Sequence, residues 1–143
     1  MVVSEIMAYL ESIRWKDGVK SPFYPQGKVY SHPKPYTYLC KEANKQFTVL
    51  SGTWLANHFR YIHKWKQLVD MLGDGINELD IISEMQVSDS MLASMYKVIC
   101  DCIGLKRPPK DKYLHYDLLK ALKGANADEI FGMLLSKKKK FKK

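Results

Sequence analysis

Three cysteines, Cys40, Cys100 and Cys102, and the histidines His32, His58 and His63 are the side chains best suited to hold a metal. Structural zinc needs four nitrogen or sulfur ligands arranged as a tetrahedron. Cys100 and Cys102 stand two apart in a stretch of helical periodicity, so they project to opposite sides and cannot chelate one ion. The histidines have no metal-site spacing and read as ordinary surface or half-buried residues. After Gly104 the carboxylates are Asp111, Asp117, Asp128 and Glu129. They fall in short amphipathic segments, without the strands that hold paired metals in a nuclease, and read as solvated helix positions and caps. No Ser-His-Asp, Cys-His or phosphate-loop arrangement occurs. No enzymatic activity, metal or cofactor is expected.

Basic side chains suggest a second chemistry, the binding of phosphate. The 143 residues carry a net charge of +8. Six of those charges are Lys137, Lys138, Lys139, Lys140, Lys142 and Lys143, which leaves +2 for residues 1–136. The tail 137–143 therefore reads as an electrostatic arm on a nearly neutral body. Within that body Lys64, Lys66, Lys97, Lys106 and Arg107 are the candidates for phosphate contacts.

These residues need elements to position them. The chain is long enough for one compact domain, or two very small ones sharing a core, and 46% of it is hydrophobic. Its apolar runs are too short for a membrane span, and the first fifteen residues lack the features of a secretory signal. An odd number of cysteines fits a reducing, intracellular setting, cytoplasm or nucleoid, or nucleus in a eukaryote. Residues 4–14 predict an amphipathic helix with Ser4 as N-cap. From Val19 to Thr53, four prolines and two glycines punctuate short β-prone runs, Lys28–Tyr30, Tyr36–Leu39 and Phe47–Leu50, which fits a small antiparallel ribbon. A period near 3.6 then predicts a helix of roughly four turns from Trp54 to Leu72. A second helix follows over Asn77–Met85, burying Leu79, Ile81 and Ile82. After the tight link Gln86-Val87-Ser88 a third runs from Asp89 to Ile103, with Ser88 as N-cap and Gly104 as stop. Pro108-Pro109 marks a linker, and Tyr113–Leu122 and Ala127–Leu135 read as two short helices.

The stretch LESIRWKDG, the motif FTVLSGT, a Trp-containing helix with Lys64-Trp65 and the closing helix pair occur in a particular order. That order resembles the N-terminal region of bacterial insertion-sequence transposases, in which a zinc β-ribbon precedes a helix-turn-helix. Leu10, Ile13, Arg14, Trp15, Asp17 and Gly18 match the family's approach to its first metal knuckle. Tyr38, Cys40, Lys45, Phe47, Thr48, Val49, Gly52 and Thr53 match the second. Two departures qualify the likeness. Where the family has Cys-Pro-x-Cys, this chain has Ser21-Pro22-Phe23-Tyr24, and the second knuckle is Cys40-Lys41-Glu42-Ala43, so one of four thiolates remains and zinc has no ligand set. Phe23 and Tyr24, surrounded by Tyr30, Tyr36, Tyr38 and Phe47, suggest an aromatic core in its place. The family's ribonuclease-H-like nuclease is also missing, with 39 residues following Gly104.

The resemblance implies an α+β fold, a degenerate zinc ribbon packed with a three-helix helix-turn-helix unit and short C-terminal helices. The divisions are 1–53 for the N-terminal helix and ribbon, 54–104 for the helix-turn-helix, 105–136 for linker and C-terminal helices, and 137–143 for the basic tail. It also implies a recognition helix beginning at Ser88, with Ser88, Ser90, Ser94 and Lys97 facing DNA. Serines discriminate little between bases, and Asp89, with Glu78, Asp80 and Glu84 nearby, opposes phosphate. The expected activity is sequence-tolerant binding of duplex DNA through the helix-turn-helix and the basic tail. The alternative is a subunit repurposed for protein interaction, or a homodimer, docking through the aromatic ribbon or residues 113–135.

Overall fold

A computed structural model of the protein describes residues 2–105, 118, 120–122 and 124–136. Helix α1 (Val3–Arg14) opens the chain, and a three-stranded sheet follows, β1 (Val29–Ser31), β2 (Tyr38–Cys40) and β3 (Lys45–Phe47). A single 3₁₀ turn, Phe59–Tyr61, leads into α2 (Ile62–Gly73), then α3 (Glu78–Met85), α4 (Asp89–Ile103) and α5 (Ala127–Leu134). The fold is a small α+β arrangement. Both strand pairs are antiparallel, in the order β1-β2-β3. Among the described residues no helix is long and apolar enough to cross a membrane.

The apolar stripes of α1 to α5 meet in one core. Ile6, Met7 and Leu10 of α1, Trp65, Leu68 and Leu72 of α2, Ile81 and Met85 of α3, Leu92, Met95 and Ile99 of α4, and Phe131 of α5 are all buried in the same cluster. Helix α2 is its axis, touching α1, α3 and α5. Local chemistry places the helix starts. Asn77 Oδ1 accepts from the Asp80 N–H, Ser88 Oγ from the Met91 N–H, and Asn126 forms a reciprocal capping box with Glu129. Gly104, at φ +76, stops α4 in the left-handed conformation that other residues adopt only with strain.

Several expectations shift. The N-cap of α1 is Val2, which has no side chain to give, so Ser4 lies inside the helix. The helix expected from Trp54 starts only at Ile62. Residues 54–57 form a turn, with Asn57 at φ +68, because Thr53 captures the local backbone: its Oγ1 donates to the Leu50 carbonyl (2.7 Å) and accepts from the Leu55 N–H (3.1 Å). Leu79 is 80% exposed, and Met85 takes the buried place assigned to it. On α4, Tyr96 and Cys100 join the buried face.

Of the apolar stripe in 113–135, which could pack on the core or dock a partner, the described members belong to the protein's own core. Leu118, Leu122, Ile130, Phe131, Leu134 and Leu135 are buried there, and the Leu134 carbonyl accepts from the Trp54 N–H (3.1 Å). The rest of the helix expected over Tyr113–Leu122, the linker before it and the tail 137–143 lie outside the described residues. A core role for α5 has a direct consequence. Phe131→Ala should lower unfolding free energy by about 3–5 kcal/mol in urea titrations, the usual range for removing a buried ring. A change below about 1 kcal/mol would mean that the helix is peripheral.

Candidate nucleic-acid interface

The ribbon is attached to the helices through two adjacent residues. Arg14, at the end of α1, donates from Nη1 to the carbonyls of Val49 and Ser51, the latter at 2.9 Å. Burial pulls its pKa below the ordinary arginine value. Trp15, the next residue, meets Tyr38 and Phe47 edge-on at 5.5 and 6.0 Å between centroids. Tyr38 and Phe47 are paired across β2 and β3 and stack at 5.7 Å. The turn after β3 closes on itself, Ser51 Oγ accepting from the Thr48 N–H and Gly52 taking φ +72.

Strand alternation gives the sheet two unlike faces. Cys40 of β2 and Phe47 of β3 are buried on the inner face beside Tyr38. The other face carries Tyr30, Leu39 and Gln46 in one cross-strand row. This revises the aromatic core expected from the sequence. Its centre is Trp15, Tyr38 and Phe47, whereas Phe23, Tyr24 and Tyr30 are 44%, 50% and 47% exposed. Phe23 reaches the rim of the inner face, 6.4 Å from Phe47, with Lys45 Nζ 5.2 Å above its ring. Ser21 is buried and turns its Oγ to the N–H groups of Phe23 and Tyr24, both at 3.1 Å. A hydroxyl thus organises this turn. Among the described residues no group of three or more His, Cys, Asp or Glu side chains could hold a metal ion. His32 contacts Gln46, and His58 meets Trp65 edge-on.

The residues expected to touch DNA are dispersed in role. Lys64 donates from Nζ to the Met85 carbonyl, capping the C-terminal end of α3 from α2. Lys66 is paired with Asp70 at 2.7 Å and lies 5.2 Å from the Tyr9 ring. Both ammonium groups already have partners within the fold. Ser88 is spent on its cap, and Ser94 Oγ donates to the Ser90 carbonyl (3.0 Å), leaving Ser90 and Lys97 exposed and uncommitted to these bonds. Lys106 and Arg107 lie outside the described residues. A three-residue link, 86–88, with Gln86 at φ +53, separates α3 from α4.

Charge separates along the chain in a way the net value conceals. Residues 15–64 hold eight basic and two acidic side chains, a balance of +6. Residues 65–105, which carry most of α2 and all of α3 and α4, hold two basic and seven acidic ones, a balance of −5. Lys16, Lys20, Lys28, Lys34, Lys41, Lys45 and Arg60 of the first group are exposed. Exposed rings lie among them: besides Phe23, Tyr24 and Tyr30 there are Phe59, tilted 6.1 Å from Tyr36, and Tyr61 beneath the Arg60 guanidinium. The surface suited to a polyanion is therefore the ribbon, and the expected reading helix belongs to the acidic half. In comparisons with protein families, with curated proteins and with solved structures, no match to this chain was found.

Two outcomes follow from these placements. Lys64→Ala and Lys66→Ala should each cost about 0.5–1.5 kcal/mol of stability, the range for one intramolecular hydrogen bond, while nucleic-acid affinity in anisotropy titrations stays within about twofold. A loss of affinity without a loss of stability would reassign them to the interface. The second concerns Tyr38. Burial, reinforced by its hydrogen bond to Glu11, pushes its hydroxyl up to about 12 from 10. The unfolded chain releases that proton first, so this contribution is complete below pH 10 and is lost as pH rises from 10 to 12. Tyr38→Phe should accordingly flatten the fall in stability over that interval, measured as urea midpoints against pH.

Proposed function

We propose that this chain is a non-enzymatic, sequence-tolerant DNA-binding protein derived from the front end of a transposase, and that the ribbon supplies its phosphate contacts. The division of charge carries this reading. A segment with a balance of +6 and interleaved exposed rings attracts a phosphate backbone, whereas the acidic helix pair opposes it and leaves few groups to read bases. The order of ribbon, Trp-bearing helix and helix-turn-helix supports the transposase descent, as do the matched residues of LESIRWKDG and FTVLSGT. Cys40, Cys100 and Cys102 are not joined in a disulfide, which fits work in a reducing compartment, cytoplasm, nucleoid or nucleus.

A second reading, a subunit that binds another protein, has one specific observation in its favour. Leu79 stands 80% exposed amid Glu78, Asp80 and Glu84, an apolar contact ringed by negative charge. A basic partner would suit it.

Titration of labelled DNA with the full chain between about 50 and 200 mM salt separates the two. Binding should weaken steeply across that range, and Lys28→Ala with Lys41→Ala should lower affinity for every sequence alike. The pair should flatten the logarithmic salt slope by about 1.5–2, since each phosphate left unneutralised on duplex DNA removes roughly 0.9. Removing 137–143 should flatten it further. Failure to bind duplex or single-stranded DNA even at the lowest salt would overturn the DNA-binding reading and leave the protein-partner one.

A further inference from the structure

Resting on the DNA-binding reading, we infer that the outer face of the sheet is a platform for single-stranded nucleic acid, with the Tyr30 ring as its stacking surface. The face follows from register. Tyr30, Leu39 and Gln46 are direct cross-strand partners on it. One pairing further toward the β2–β3 turn, the Lys41 N–H donates to the Lys28 carbonyl at 3.0 Å, which continues the ladder and puts the two lysines in the next row of the same face. At the opposite end the His32 N–H donates to the Thr37 carbonyl (3.1 Å), so His32 occupies the row beyond Tyr30. Its ring meets the Gln46 side-chain amide, Nε2 to Nε2 3.1 Å apart. Among the described residues no helix covers these rows: Lys28, Tyr30, Lys41 and Gln46 are exposed, and Leu39 lies half-buried beneath them.

The chemistry of the rows selects the occupant. Two ammonium groups at one end provide positive charge without shape, which suits a flexible phosphate backbone. A half-exposed tyrosine in the middle offers a flat apolar face at little entropic cost, and the Gln46 amide and His32 ring offer hydrogen bonds beside it. A base can stack on Tyr30 only when it is out of a duplex, since paired bases present their edges and not their faces. Opposing charge is scarce. Glu42 is the sole carboxylate between residues 18 and 69, and it is turned to the backbone, its Oε2 accepting from the Lys28 N–H at 2.9 Å. Gly27 makes that approach possible, since a Cβ there would collide with the same oxygen.

The test compares labelled oligo-dT of about twenty nucleotides with a duplex of the same length, titrated with the full chain in anisotropy at roughly 100 mM salt. The wild type should prefer the oligonucleotide. Tyr30→Ala should weaken oligo-dT binding by about five- to 150-fold, the range for one missing stacking partner, and change duplex binding by less than about twofold. Tyr30→Phe should restore most of the loss. Because the ring is half exposed and outside the core, an unchanged thermal midpoint confirms that Tyr30→Ala remains folded. A wild type that prefers duplex, or a Tyr30→Ala variant that binds oligo-dT as the wild type does, overturns the platform while leaving DNA binding by the ribbon intact. Absence of binding to either probe overturns both.

Discussion

The Arg14–Trp15 step joins the two halves of this protein. A three-stranded sheet of three-residue strands has too little apolar area to stand alone, and here it is held from one side by the end of α1. The guanidinium binds two carbonyls of the turn after β3, while the indole edge fills the space between Tyr38 and Phe47. Neither contact substitutes for the other. The hydrogen bonds fix the turn that leads to the helices, and the ring fixes the inner face of the sheet. With both in place the outer face is left open, and the lysines of the loops are held around it.

Two stretches, LESIRWKDG and FTVLSGT, lie far apart in the chain but are in contact at this junction. The knuckle turn shows a parallel economy. Ser21 keeps two amide hydrogens satisfied at a position where the resemblance implies a thiolate, so the local turn survives the exchange of side chain.

Much of the fold is legible in the sequence because its cues are local. Ser88, Asn77 and Gly104 mark helix ends through caps that operate within a single turn, and α4 begins and ends where they indicate. The antiparallel ribbon is likewise legible from its prolines and β-prone runs, though its third strand, Lys45–Phe47, ends where the expected run Phe47–Leu50 begins. What escapes is non-local or competes with periodicity. The Thr53 hydroxyl diverts residues 54–57 from helix, and no hydrophobic pattern records that competition. Lys64 looks like a solvated cation until α3 brings the Met85 carbonyl to it. The basic character of the ribbon is overlooked for a similar reason. A helix-turn-helix draws attention to its second helix, while the charge that would hold a phosphate lies in the segment whose turns carry no recognisable reading motif. Counting charges by segment would have found it; the net value of +8 does not.

The hydrogen bond from Tyr9 to Asp128 spans 119 positions, and it accompanies the packing of α1 on α5. The first helix of the fold therefore waits for the last. At ribosomal rates of roughly 5–20 residues per second, α5 follows α1 by about 6–24 s. During that interval Ile6, Met7 and Leu10 lack their final partner, and a nascent chain of this protein exposes the apolar face of its first helix for longer than its modest size would suggest.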